Sequence, residues 1–107
     1  MEETVFLKIV GNTPMMRIWD FLLVERGLFD YSMTDIAENS HVSWTKFNEI
    51  FPEFEKRGIV KQTRRIGKAR LFMLNEDNPF TKAMIELHKK ISLAVLEKQK
   101  PEIPMSV

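Results

Sequence analysis

The spacing of Ala37, Val42 and Phe47, five residues apart each time, constrains this chain more than any other feature. They lie in two short helical patterns, DIAENS and VSWTKFNEIF, that flank a Ser40-His41-Val42 turn. Ile36 and Ala37 share one inner face; Val42, Phe47, Ile50 and Phe51 share the next. A small side chain at Ala37 lets the second helix cross close over the first, and Phe47 plugs the crossing. That is the packing logic of a helix-turn-helix. The turn between such helices takes positive φ. Gly is the usual residue there, and His is among the non-Gly types enriched at such angles. His41 is therefore read as a turn residue rather than a metal ligand, and no metal site or cofactor is expected.

Charge adds the second constraint. The net charge is only +1, yet Lys56, Arg57, Lys61, Arg64, Arg65, Lys68 and Arg70 follow one another with no acid between them. The acids stand elsewhere, among them Asp30, Asp35, Glu38, Glu53, Glu55, Glu76 and Asp77. One concentrated basic face on a nearly neutral chain is the footprint of a polyanion binder. The plain alternative is a solvated hairpin whose Lys and Arg guard its edges. Within this run, residues 59–64 (IVKQTR) and 69–75 (ARLFMLN) read as two strands about a turn at Gly67. Which face of each strand is buried stays open, because the second strand is almost continuously apolar. A helix-turn-helix followed by a basic hairpin predicts an α+β, mainly helical fold: a winged helix-turn-helix with a long C-terminal helix.

The remaining elements follow from caps and periodicity. VFLKIV, near the N-terminus, is too short to type and is either a strand or a helical turn. Thr13-Pro14 opens a helix that carries Met15, Ile18, Trp19, Leu22 and Leu23 at helical spacing. Phe21 and Val24 widen its apolar arc, so more than one side should be covered. Gly27 ends it. LFDY, residues 28–31, reads as an extended link able to pair with the hairpin, and Ser32 with Asp35 marks the cap of a helix over residues 33–39. Pro52 predicts either a bend or a break near Phe51 in the helix that Ser43 caps, with Phe54 facing inward and Gly58 as the stop. Asn78-Pro79 opens the last helix, with Phe80, Met84, Leu87, Ile91, Ala94 and Val95 on one row and Ile85, Leu93 and Leu96 on a second. The expected organisation is one domain over residues 1–98, including a dimerisation helix at 79–98, and a flexible tail at 99–107.

The helix beginning at Ser43 is the candidate reader. Its outward positions are Ser43, Trp44, Thr45, Asn48 and Glu49, with Lys46 at the flank. Free amides at a helix N-terminus suit phosphate, which favours Ser43 and Thr45 as contacts. By side-chain type, Asn48 pairs with adenine, Glu49 accepts from cytosine and Trp44 covers a thymine methyl. The alternative for Trp44 is packing on a neighbour, and for Asn48 simple exposure. Lys61, Arg64, Arg65, Lys68 and Arg70 form the basic wing, suited to the backbone or to a narrow minor groove. The apolar row of the last helix, Phe80, Met84, Leu87, Ile91, Ala94 and Val95, is expected to pair with the same helix of a second copy, giving a homodimer on a two-fold site. The alternative is a fold-back of that helix onto Trp19 and Phe21.

Catalysis is not expected. The chain has no Cys, two His and no Gly-rich phosphate loop. His88 reads as a helix-surface residue with no matching carboxylate. No signal-peptide pattern and no apolar run of spanning length is present, which, with the absence of Cys, fits a cytoplasmic protein off the membrane.

The segments DYS, DIAENS, VSWTKF, FPEFEKRGIVKQTRRIGKARLFMLN and NP resemble the small archaeal winged helix-turn-helix proteins usually described as transcriptional regulators. The resemblance covers roughly residues 11–92, and GIVKQTRRIGKARLFMLN is its most specific part. His41 departs from it, standing where Gly is usual. The resemblance implies a small cytoplasmic protein that binds double-stranded DNA, often as a dimer, with residues 43–49 as reader and 64–70 as wing. A winged-helix protein-protein interaction module of the transcription or replication machinery is the alternative, because fold alone does not choose between the two.

Overall fold

Each helix starts at a side-chain oxygen that accepts from its first turn. In the computed structural model, which describes residues 3–99, Thr4 caps α1 (Val5–Val10), Thr13 caps α2 (Pro14–Val24), Ser32 caps α3 (Met33–Asn39) and Ser43 caps α4 (Trp44–Lys56). Asn78 does the same for α5 (Pro79–Gln99), accepting from the amides of Phe80 and Thr81 at 2.9 and 3.2 Å. Each such cap stabilises its helix by about 1 kcal/mol, since the first amides have no partner inside the helix. The short VFLKIV run resolves to helix, and Phe6 and Leu7 bury its inner side.

Three strands form one antiparallel sheet in the order β1-β3-β2, with β1 at Tyr31–Ser32, β2 at Val60–Ile66 and β3 at Ala69–Leu74. The middle position of β3 explains its apolar sequence: Leu71, Phe72 and Leu74 are all buried. Of β2, only Val60 is buried, so the hairpin stands out from the body as a wing. β2 runs two residues past its expected end, through Arg65 and Ile66, and leaves Gly67 at φ 60° with Lys68 as the turn. Gln62 lies opposite Phe72 but Arg64 lies opposite Leu71, so Thr63 is the extra residue of a β-bulge.

An aromatic ladder holds the centre. Phe47 stacks on Phe51 with centroids 4.7 Å apart, Phe51 on Phe54 at 6.1 Å, and Phe72 meets Phe51 edge-on at 5.1 Å. Ile18, Leu22 and Leu23 of α2 and Ile36 and Ala37 of α3 complete the core. The helix runs through Pro52 without a break, because Pro52 lies on the exposed side and the hydrogen bond it removes faces water. Two expected core positions of α2, Met15 and Val24, are exposed instead.

α5 is anchored at its start. The Thr81 hydroxyl, fully buried, donates to the carbonyl of Ile59 at 3.3 Å, and the Asn78 amide donates to the carbonyl of Arg57 at 2.8 Å. The helix packs on α1 and α2 through Met84, Ile85 and Ile91. This divides the row expected for a dimer: Met84 and Ile91 serve the chain's own core, Val95 is half-buried, and Phe80, Leu87 and Ala94 are exposed. One reason is geometric: Thr81, Met84, His88, Ile91 and Val95 share the face that meets α1 and α2, and the exposed row lies beside it. The helix includes Gln99, one residue beyond the expected boundary; the rest of the expected tail, 100–107, lies outside the described residues, as do residues 1–2. The architecture is a winged helix-turn-helix with a long C-terminal helix.

Candidate nucleic-acid interface

The tilt of α4 is set at the turn before it. His41 takes φ 55°, the left-handed angle expected of that position. Arg17 then locks the turn from α2. Its Nε donates to the carbonyl of Ser40 at 3.0 Å, one terminal nitrogen donates to the carbonyl of His41 at 3.1 Å, and the other donates to Oδ1 of Asn12 at 3.0 Å. These carbonyls lie past the end of α3, where no helical amide reaches them. In the sequence Arg17 stands out only as the one cation of a largely apolar helix.

Every expected reader position is exposed: Ser43, Trp44, Thr45, Lys46, Asn48 and Glu49. Trp44 combines both readings made of it. Its ring stacks on Phe47 at 5.8 Å and yet stays 53% exposed, so one side packs on the core while the rest faces solvent. The Asn48 amide donates to the carbonyl of Trp44 at 2.8 Å, and Lys46 pairs with Glu49 at 3.2 Å. Both interactions lie in water and contribute little to stability. A cleft of about 270 Å³ joins the two candidate elements, lined by Met33, Thr34 and Trp44 on the helical side and by Lys68, Ala69 and Arg70 on the wing.

The wing's charges divide into two groups that the sequence runs together. Arg70 makes a fork with Glu55, at 3.0 and 3.2 Å, and its guanidinium lies 5.0 Å from the centroid of Phe72. Arg64 makes a fork with Asp30, at 2.9 and 3.0 Å. Hydrogen bonds from Arg64 and Thr63 hold the Asp30 carboxyl down at about 2, and the same pairing raises the Arg64 guanidinium. Arg57 likewise pairs with Glu53. Lys61, Arg65 and Lys68 have no ion-pair partner among the described residues and are exposed. The acids that pair Arg64 and Arg70 are distant or precede the run in sequence, which is why the run looked uniformly basic.

His88 departs from its expected place on the helix surface. It is half-buried, with its ring 5.2 Å from Phe6 and its Nε2 4.0 Å from Asp20 of α2. Burial pushes the His88 imidazole down and the Asp20 carboxyl up. Thr4 donates to the other Asp20 oxygen at 3.1 Å. Asp20, between Trp19 and Phe21, was the sequence signal for this junction of α1, α2 and α5. Phe80, expected at a dimer interface, lies with the Arg57 guanidinium 5.9 Å from its ring centroid.

No protein family's sequence pattern matches the chain, and no curated protein matches it. Solved structures do. A MarR family transcriptional regulator from Silicibacter pomeroyi aligns at 16% identity and TM-score 0.56 over 87% of this chain and 66% of that one. MepR, a transcription regulator of a Staphylococcus aureus multidrug efflux pump, aligns at 9% identity and TM-score 0.58, over 92% and 75%. Streptococcus pneumoniae FabT, solved in complex with DNA, aligns at 16% identity and TM-score 0.58, over 91% and 71%. At these identities the likeness is one of fold. The chain spans just under two thirds of the first of these neighbours. No helix among the described residues is long and apolar enough to cross a membrane.

Proposed function

We propose that the protein binds duplex DNA as a transcriptional regulator, with α4 in the major groove and the wing on the adjacent backbone. The observation that carries this is the cleft between Trp44 and Lys68. It brings the exposed N-terminal turn of α4 beside the turn end of a hairpin whose Lys61, Arg65 and Lys68 have no ion-pair partner among the described residues. Ser43 and Thr45 meet phosphate, Trp44, Asn48 and Glu49 meet base edges, and Lys46 stands at the flank. Arg64 and Arg70, expected in the same set, serve the fold first. The FabT structure, with DNA bound to a protein of this fold, supports the reading. The work is binding, not catalysis, and its place is the cytoplasm.

The same reading includes a homodimer. Phe80 and Leu87, on the row expected at the dimer, leave apolar surface exposed along α5. A second α5 would cover it and set two reading helices on a two-fold site. Leu28 and Phe29, both exposed at the loop before β1, favour a second reading in which that loop docks on a protein of the transcription machinery.

Fluorescence anisotropy of a labelled mixed-sequence duplex, titrated at several salt concentrations, tests the proposal. Binding should weaken steeply with salt. Arg65→Ala with Lys68→Ala should flatten the slope of log K against log salt by about 1.8, at about 0.9 for each phosphate no longer neutralised. Unchanged affinity and slope in the double variant would remove the wing from the interface.

A further inference from the structure

Arg64 and Arg65 are neighbours in sequence with opposite surroundings: alternation along β2 puts them on opposite faces, and the bulge at Thr63 sets which face each takes. A bulge shifts the alternation of a strand by one residue, so side chains beyond it are aimed anew. Past the bulge, Arg64 lies opposite Leu71 and reaches Asp30, whereas Arg65 lies opposite Arg70 and has no ion-pair partner among the described residues. Asp30, the last residue before β1, accepts from Thr63 Oγ1 and from Arg64 Nε and Nη2. Its side chain is only 13% exposed, while that of Arg64 is 60% exposed. The acceptor is thus largely covered and already takes three hydrogen bonds, and the cation it holds still faces the solvent.

We infer that Asp30 withholds the charge of Arg64 from the DNA backbone and thereby sets how many cations the wing brings to a duplex. The inference rests on the DNA-binding reading above. A cation already neutralised in a two-point fork adds little to counterion release, because its charge attracts no phosphate that the carboxylate has not displaced. Asp30 is in this sense a positioning residue. It clamps the bulge through Thr63, fixes Arg64 beside it, and leaves Lys61, Arg65 and Lys68 as the wing's free charges. Limiting the sequence-independent attraction leaves more of the binding to the base-edge interactions of α4.

Salt slopes for four proteins test this: the wild type, Arg64→Ala, Asp30→Asn, and the double variant. The wild type and Arg64→Ala should share one slope. Asp30→Asn should bind more tightly at low salt and steepen the slope by about 0.9, the share of one more neutralised phosphate. The double variant should return to the wild-type slope. A slope already flatter by about 0.9 in Arg64→Ala would overturn the inference, because Arg64 would then be on phosphate in the wild type. Steepening that persists in the double variant would also overturn it, since Asp30 would then act by general repulsion. If circular dichroism shows Asp30→Asn unfolded, the Arg64→Ala comparison decides alone. Absence of salt-dependent duplex binding by the wild type overturns the proposed function itself, and this inference with it.

Discussion

α4 and α5 both carry large apolar side chains at helical spacing, and they end in different situations. Phe47, Phe51 and Phe54 of α4 are wholly enclosed, stacked on one another and closed off by Phe72. On α5 the apolar residues are divided between Met84, Ile85 and Ile91, which meet the chain's own core, and Phe80, Leu87, Leu93 and Leu96, which stay exposed. Periodicity says that a face is apolar; it does not say what covers it. In a helix whose apolar arc is wider than one neighbour can cover, the surplus is available for a partner.

Truncating each helix sharpens this contrast most strongly. Phe47→Ala should cost about 3–5 kcal/mol, the range for deleting a buried aromatic ring whose surroundings cannot collapse, read from urea unfolding. Leu87→Glu should change the stability of the single chain by no more than about 0.5 kcal/mol. It should instead shift sedimentation from dimer to monomer. Equal losses of stability from the two substitutions would break the comparison.

The turn between α3 and α4 offers a smaller effect on the enclosed side. Arg17→Ala removes the donors to Ser40 and His41, and should cost about 1.5–3 kcal/mol, as for hydrogen bonds made by a charged group. Duplex affinity should fall as well, although Arg17 lies behind the reading helix, because the tilt of α4 loosens. Affinity that survives while stability falls would separate the turn from recognition. The smallest effect is expected from His41→Gly. Gly relieves the left-handed angle but adds freedom to the unfolded chain, so stability should stay level or rise by up to about 1 kcal/mol. A clear drop in Tm would show that His41 does more than turn the chain.

Much of the fold was legible because its boundaries rest on local chemistry. Thr13, Ser32, Ser43 and Asn78 cap the helices they were expected to cap, and His41 takes the angle its place requires. The buried face of β3 was not legible, since Leu71 is buried beside Phe72 and Leu74 and the alternation that marks a face is lost. The site was legible as a set of residue types rather than as a set of partners. Arg64 and Arg70 were indistinguishable from Arg65 until Asp30 and Glu55 were brought to them by the fold. His88 looked solvated for the same reason: Asp20 and Phe6 reach it only through the packing of α1 and α2 on α5.

The most direct test of a DNA face formed by α4 and the wing is an amide chemical-shift map of the protein titrated with a mixed-sequence duplex at low salt. The account predicts shifts over residues 43–49 and at Lys61, Arg65 and Lys68, with α1 and the exposed row of α5 unmoved. Shifts concentrated on α5, or on Leu28 and Phe29, with residues 43–49 silent, would contradict it.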